Sequence, residues 1–462
     1  MATKDFRQVI PAFWKGIRDN VDGIAILEEE WQDASNHDHD GVRPGLTEVV
    51  VLEAGVGVVG LHYYNRADGS QHRVAALANG KLYEDSSLAL SGMSGQPPVF
   101  TSGLGTVIVL DPSGTPHFRD AADNTWKTLP TPSAWVPKVG SIDRIGRRLY
   151  LAPTDLGPDA WGYSAVDKVT KWASTDGGGQ EIVGGDGQPI GGIGYFVGDN
   201  MAIYKYDMLY LREGADPANW KFRAISADVG TRSPRALVAL GHGNFFAHSA
   251  GASLVNAVGS VLFPPLSDPI TTRWVSLARV IDFAKVHACW DAITQRMNLW
   301  VPNDAGVVQR LFRISFREHN VTEHVVQATC SAWDGQYIHI GRTDGRISKI
   351  SGTTDHGTPI DAYIVTKVFG DPLTQKSFGS DEQIIMLFRG AAGVVVSVTP
   401  TMYVDDFLVV GDAVSVTLVG GLSRLMVPLP TTQGWGLELK IQATGVWKFV
   451  GLVAPEQLLG EI

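Results

Sequence analysis

Residues 226 to 249, SADVGTRSPRALVALGHGNFFAHS, hold a dense collection of potentially reactive side chains: Asp228, His242 and His248 among serines, with Arg232 and Arg235 nearby. Nucleophilic catalysis by a serine requires a histidine base and an orienting acid around a hydroxyl presented on a sharp turn. Here His242 lies between Gly241 and Gly243 in the turn of a predicted hairpin, and the sequence contains no G-x-S-x-G elbow. The stretch therefore reads as scaffold. Pro234 stiffens a crossover, the two glycines bracket the turn, and Phe245 and Phe246 start the returning strand.

Other motifs carry partial chemistry. In VVVLEAGVGVVG, Gly55, Gly57 and Gly60 form a G-x-G-x-x-G after an apolar strand, but a dinucleotide site needs a helix next, and LHYYNRADGS reaches a turn within about eight residues. A glycine-rich hairpin is expected there, with no cofactor. NHDHDG sets His37 and His39 beside Asp38 and Asp40, a spacing that could hold a metal or form a solvated turn. A calcium loop beginning at Asp38 would want Glu at position 49, where Val49 stands. ASTDGGGQEI places Ser174, Asp176 and Gly178 as in an Asp-box turn, yet Glu181 occupies the position of the packing tryptophan. The carboxylate pair Asp405 and Asp406 and the run Glu28 to Glu30 read as solvated surface. No catalytic, cofactor-binding or metal-ligating residue is assigned from these patterns.

Composition narrows the class. The chain has 462 residues, 44% hydrophobic and 19% charged, enough for two domains or one large β architecture. Cys289 and Cys330 are too few for a disulfide framework and lack metal-type spacing, so both are expected to be buried free thiols in a protein made in a reducing compartment. The formal net charge is -10 and no basic run occurs, which disfavours tight nucleic-acid binding. No apolar run approaches the roughly 20 residues that span a bilayer, and MATKDFRQV lacks the apolar core of a signal peptide.

The elements that must position these residues are short and β-like. The 52 glycines and 24 prolines are spread along the chain with Asn, Asp and Ser, punctuating many short segments. Polar turns precede aromatic-rich strands around Tyr83, Tyr150, Tyr210, Phe245, Trp300 and Tyr337, at intervals that bracket the ~40 to 50 residues of a propeller blade. An all-β fold follows: an irregular β-propeller of about six blades over residues 46–355, preceded by an N-terminal arm, 1–45, and followed by a small C-terminal β-sandwich, 356–462. In the arm, Phe6, Ile10, Phe13, Trp14 and Ile17 lie near helical spacing, interrupted by Pro11. In DGRISKI, Ile347 and Ile350 flank polar residues as on a solvated edge strand.

Four segments, in order, resemble the tail hub or nozzle (tail tubular) proteins of short-tailed, podovirus-like bacteriophages. They are GVRPGLTEV, DMLYLREGADPANWKFRAISADVGTRSPRALVALGHGNFFAHSAGASLV, CSAWDGQYIHIGRTDGRISKIS and DAYIVTKVFGDPLTQKSFGSDEQIIMLFRG. The stretch 92 to 200 departs from the likeness. The resemblance implies a structural virion protein without enzymatic activity, made in the host cytoplasm and placed in the virion tail. Copies would form a homohexameric ring below the portal and its adaptor ring, with tail fibres, spikes or a needle nearby. The ring would retain the genome and pass it at ejection, touching the moving DNA without specificity and inserting in no membrane. The rival reading is a carbohydrate-binding or glycosidase-like propeller acting on host surface polysaccharide.

Overall fold

The computed structural model describes residues 8–11, 16–17, 30–38, 41–112, 115–143, 146–196, 200–214, 216–241, 243–256, 259–262, 265–302, 309–316, 320–366, 368–370, 383–404, 407–430 and 435–454. Short antiparallel sheets follow one another along the chain, and their first strands pack side by side in a closed circle. These inner strands are Val58–Asn65, Val99–Gly103, Val139–Ile142, Ile190–Tyr195, Val238–Leu240, His287–Asp291 and Cys330–Trp333. The last packs against the first, so the architecture is a β-propeller of seven blades, numbered here in chain order.

The sequence rhythm suggested about six. Blade 2 escaped because its second strand, Thr106–Leu110 (TVIVL), is aliphatic and carries no aromatic mark. Period-two alternation explains how the ring packs. Val107 and Val109 join Tyr64, Val74 and Leu82 between blades 1 and 2, while Ile108 and Leu110 turn the other way to meet Ile142, Leu149 and Leu151 of blade 3. The same alternation fills the other gaps, with a separate buried cluster at most blade boundaries. The second strands of blades 2, 3, 4 and 6 are buried along their length because a strand lies on either side and a blade on either face. Each fully buried aliphatic side chain contributes about 1.5–3 kcal/mol.

Blade 7 takes its outer strand from the start of the domain. Leu46–Val51 pairs antiparallel with Arg346–Ile350, so Arg346–Ile350 is an interior strand and Ile347 is fully buried; the expected solvated edge lies one strand further out. Thr354–Asp355 and Thr358–Pro359 then form a small hairpin against Leu46. Blade 5 has three strands, and the helix Thr271–Ala278 packs on the outermost, with Trp274 and Leu277 buried.

From Asp361 onward the strands belong to a sandwich. One sheet contains Gln8–Pro11, Trp447–Ala454, Gln383–Gly390 and Leu422–Pro428. The facing sheet is continuous with blade 6: its outer strand, Asn320–Val325, pairs with Gly16–Ile17, then Glu30–Ser35, Asp361–Thr366, Gly436–Thr444 and Val395–Val404. Alternation again sorts the faces, as in Leu422–Pro428, where Ser423, Leu425 and Val427 are buried and their neighbours exposed. A single apolar core spans blades 5 and 6, the helix and the sandwich. The described parts of the arm are thus strands, where the sequence suggested helical spacing. Pro11 fits because Gln8–Pro11 edges its sheet, where a missing N–H costs little. Phe6, Phe13 and Trp14 lie outside the described residues.

Arg43 fixes the junction of these parts. Its Nη1 donates to Asp355 Oδ1 (3.0 Å) and Pro44 O (2.9 Å), Nη2 to Asp355 Oδ2 and Val325 O (3.2 Å), and Nε to Asn36 Oδ1 (2.9 Å). Two residues later Gly45 passes so close to Thr354 that a Cβ would lie 2.2 Å from its carbonyl oxygen. Arg43→Met is expected to lower the unfolding free energy by about 3 kcal/mol, because it strands a carboxylate and several carbonyls. Gly45→Ala should also lower it, by displacing the Thr354 backbone; urea denaturation of both variants is the measurement.

Candidate functional site

The inner strands of all seven blades line one central cavity of about 640 Å³. Its described walls include aromatic residues, hydroxyls and imidazoles, with no Asp or Glu among the described lining residues. The permanently charged residue among them is Arg235, from the crossover Pro234–Ala236 that leads into blade 5. Its Nη1 donates to Val59 O and Thr329 O (both 3.1 Å) and its Nη2 to Lys285 O (3.0 Å). These carbonyls lie where the inner strands of blades 1, 7 and 6 begin, so the guanidinium sits at that end of the channel. Burial lowers its pKa to about 10.

Imidazoles stitch neighbouring blades around the channel. His62 Nε2 lies 2.9 Å from Ser102 Oγ, across blades 1 and 2, and the ring stacks on Phe100 with centroids 5.6 Å apart. His287 lies between blades 6 and 7: Ala328 O, 3.3 Å away, accepts from Nε2, which leaves Nδ1 to accept from the Ser331 hydroxyl at 2.8 Å. A serine donating to a histidine is the start of a nucleophilic dyad, but burial and the nearby Arg235 hold His287 well below the ordinary histidine pKa, making it a poor proton acceptor.

A third chain closes the seam between blades 7 and 1. Asp334 Oδ2 accepts from His339 Nε2 at 2.8 Å, and His339 Nδ1 accepts from the Tyr63 hydroxyl at 3.0 Å. Asp334 is anchored in its DGQY turn by the N–H groups of Gln336 (2.7 Å) and Tyr337 (2.6 Å). Burial raises its pKa, but these donors and His339 outweigh it and leave it lowered. Burial also pushes Tyr63 up to about 12. At neutral pH the order is therefore phenol, neutral imidazole, carboxylate, which orients Tyr63 as a donor and gives it no nucleophilic character.

The described residues among those singled out in the sequence do not assemble into a catalytic group. Asp228 is exposed and His242 lies outside the described residues. His248 is buried; Ala250 N–H donates to its Nδ1 (3.2 Å), so its proton sits on Nε2 and points to Ser253 Oγ at 2.9 Å, the reverse of what a general base for that serine requires. Gly57 and Gly60 lie at and within the start of the blade 1 inner strand, and Gly55 occupies a turn at φ 79°. That glycine run joins blade 7 to blade 1; it is a crossover, where a hairpin was expected, and a strand follows it in place of a nucleotide-binding helix.

His37 is buried against Trp447, ring centroids 4.6 Å apart, while His39 and Asp40 lie outside the described residues. Among the described residues no cluster of three His, Cys, Asp or Glu side chains could hold a metal ion. Ser174–Asp176 is a short 3-10 turn with Gly177 in the left-handed region, and burial raises the pKa of Glu181. Cys289 and Cys330 are both free, buried and at the channel wall, and burial pushes the Cys330 thiol up to about 11. Glu28, Glu29, Asp405 and Asp406 lie outside the described residues, and of Glu30 only the strand backbone is described. Among the described residues no helix is long and apolar enough to cross a membrane.

No family model matches the sequence, and comparison with curated proteins gives no match. Among solved structures, the chain is similar to a virginiamycin B lyase from Staphylococcus aureus, at 13% identity and a TM-score of 0.45, over 66% of this chain and 99% of that one. It is also similar to U3-55K, at 9% identity and a TM-score of 0.45, over 67% of this chain and all of that one. The propeller assignment rests on the seven sheets and their closed ring.

The buried histidines make stability depend on pH. Burial holds His62 and His248 at about 4, below the unfolded value near 6.5, so their contribution is intact above pH 6.5 and is lost as pH falls toward 4. Buried His248 accounts for up to about 3 kcal/mol of that loss. Glu84, which accepts from Arg66 (2.8 Å), Arg119 (2.8 Å), Trp126 (3.1 Å) and Tyr64, is half-buried, which raises its pKa, yet these donors bring it down to about 2, adding a further loss below pH 4.5. His248→Gln should flatten the unfolding free energy measured between pH 6.5 and 4; an unchanged slope would contradict the assignment.

Proposed function

We propose that this chain is a structural component of a bacteriophage tail, a hub or nozzle whose copies form a ring that continues the DNA conduit below the portal and adaptor. The observation that carries the reading is the sheet running unbroken from blade 6 through the arm into the sandwich. It joins two unlike ends in one stiff body, and a cyclic ring beyond a dimer requires two unlike faces on every copy. The ordered sequence resemblance spans the same parts.

Charge supports the reading too. A conduit must not grip phosphate, because each Lys or Arg contact releases counterions and adds affinity; a formal net charge of -10 suits passage without capture. The cavity within one chain, at about 640 Å³, is of small-molecule size, so the duplex would pass through an opening formed among copies. Exposed apolar side chains on sandwich edge strands, Leu408 and Val410 on one and Leu422 and Met426 on another, suit contacts between copies.

The role proposed is non-enzymatic. A glycosidase requires two carboxylates across a pocket, and the described residues that line the channel supply none. Light scattering and negative-stain imaging of the protein mixed with its adaptor should reveal a ring of about six times 49.8 kDa. A chain that stays monomeric with the adaptor and binds or clears polysaccharide would sink the proposal. Val410→Glu combined with Leu422→Glu should leave the fold intact and shift the ring toward monomers.

A further inference from the structure

Arg235 lines the central cavity half-buried, and its wiring differs from that of three buried cations. Arg43, Arg119 and Lys205 each meet a carboxylate, in Asp355, Glu84 and Asp186. Arg235 meets three backbone carbonyls and forms no ion pair with a described carboxylate. Of the five hydrogens of its guanidinium, three are used; Nε is buried without a partner, and Nη2 keeps one hydrogen. Asp282 acts on Arg235 through its charge without a hydrogen bond to it, so the guanidinium keeps spare hydrogens and touches no described carboxylate.

The surroundings suit an anion with an organic body. The three carbonyls fix the guanidinium at one end of the channel, and Phe100, Tyr195, Trp290 and Trp333 contribute to its walls. None of the described lining residues is acidic, although the chain as a whole is. The volume, about 640 Å³, falls within the range of small-ligand sites. We propose that the central channel is a binding cup for a small organic carboxylate, its charged end at Arg235 and its body against those aromatic walls. The site is independent of the ring-forming role and of the surfaces that would serve it.

The test is calorimetric titration of the full chain with benzoate, phenylacetate and naphthoate, each beside its neutral amide, while tryptophan fluorescence is followed in the native chain and in Trp290→Phe and Trp333→Phe. At least one carboxylate should bind one per chain, change the fluorescence and exceed its amide by roughly tenfold or more. Arg235→Gln should erase that preference. Because this variant also removes three inter-blade hydrogen bonds, Arg235→Lys provides a second reading, since it keeps a cation at the same end of the channel while losing the planar fork. A carboxylate preference that persists in folded Arg235→Lys and is lost in Arg235→Gln supports the proposal. It is overturned if no carboxylate exceeds its amide, or if the preference survives in Arg235→Gln.

Discussion

The rest of the structure depends on how the ring is closed. Seven inner strands pack in a circle, and blade 7, the last, obtains its outer strand from Leu46–Val51 at the start of the domain. Sheet hydrogen bonds alone would leave that strand free to slide or peel. Arg43 prevents both by tying the preceding turn to Asp355, to Val325 at the end of blade 6 and to Asn36 in the arm. One guanidinium thus holds the closing strand, the neighbouring blade and the start of the sandwich sheet in register, and Gly45 lets the chain pass Thr354 without a side chain in the way.

Closure in turn creates the channel chemistry. Carbonyls from three blades converge on Arg235 because the strands that carry them start at the same end of a closed ring. The inter-blade pairs His62 with Ser102 and His287 with Ser331, and the run from Asp334 through His339 to Tyr63, have the same origin. In each, the imidazole is neutral, since desolvation disfavours its charged form more than its partners favour it. These groups bond one another across blade seams, whereas Arg235 bonds backbone carbonyls.

Much of the fold was legible in the residues because turns and alternation are local. Gly241 and Gly243 do bracket the step between Val238–Leu240 and Gly243–His248, and the evenly spaced apolar strands after residue 383 form the sandwich. What escaped was non-local. Val107 to Leu110 hid blade 2, since an aliphatic run buried on both faces has no period to read. The arm looked helical by spacing, yet its strands are set by partners more than 300 positions away, which no local window contains. Arg235 gave no signal beyond following Pro234, because its meaning lies in three carbonyls brought together by tertiary structure. His248 drew attention by its type and proved to donate toward its serine, a distinction carried by one backbone N–H.

The threading of the arm also imposes an order in time. Gln8–Pro11 pairs with Trp447–Ala454, Gly16 with Val321, and Leu46–Val51 with Arg346–Ile350. A ribosome makes the first member of each pair long before the second, so these early strands must wait, unpaired, while hundreds of residues follow. Blades 1 to 4 assemble from contiguous sequence and can form in the order they emerge, whereas the strands that seal the ring and complete the sandwich are added at the end. Until then the waiting segments present open edges, which places the period of greatest exposure to misassociation late in synthesis, after most of the core has formed.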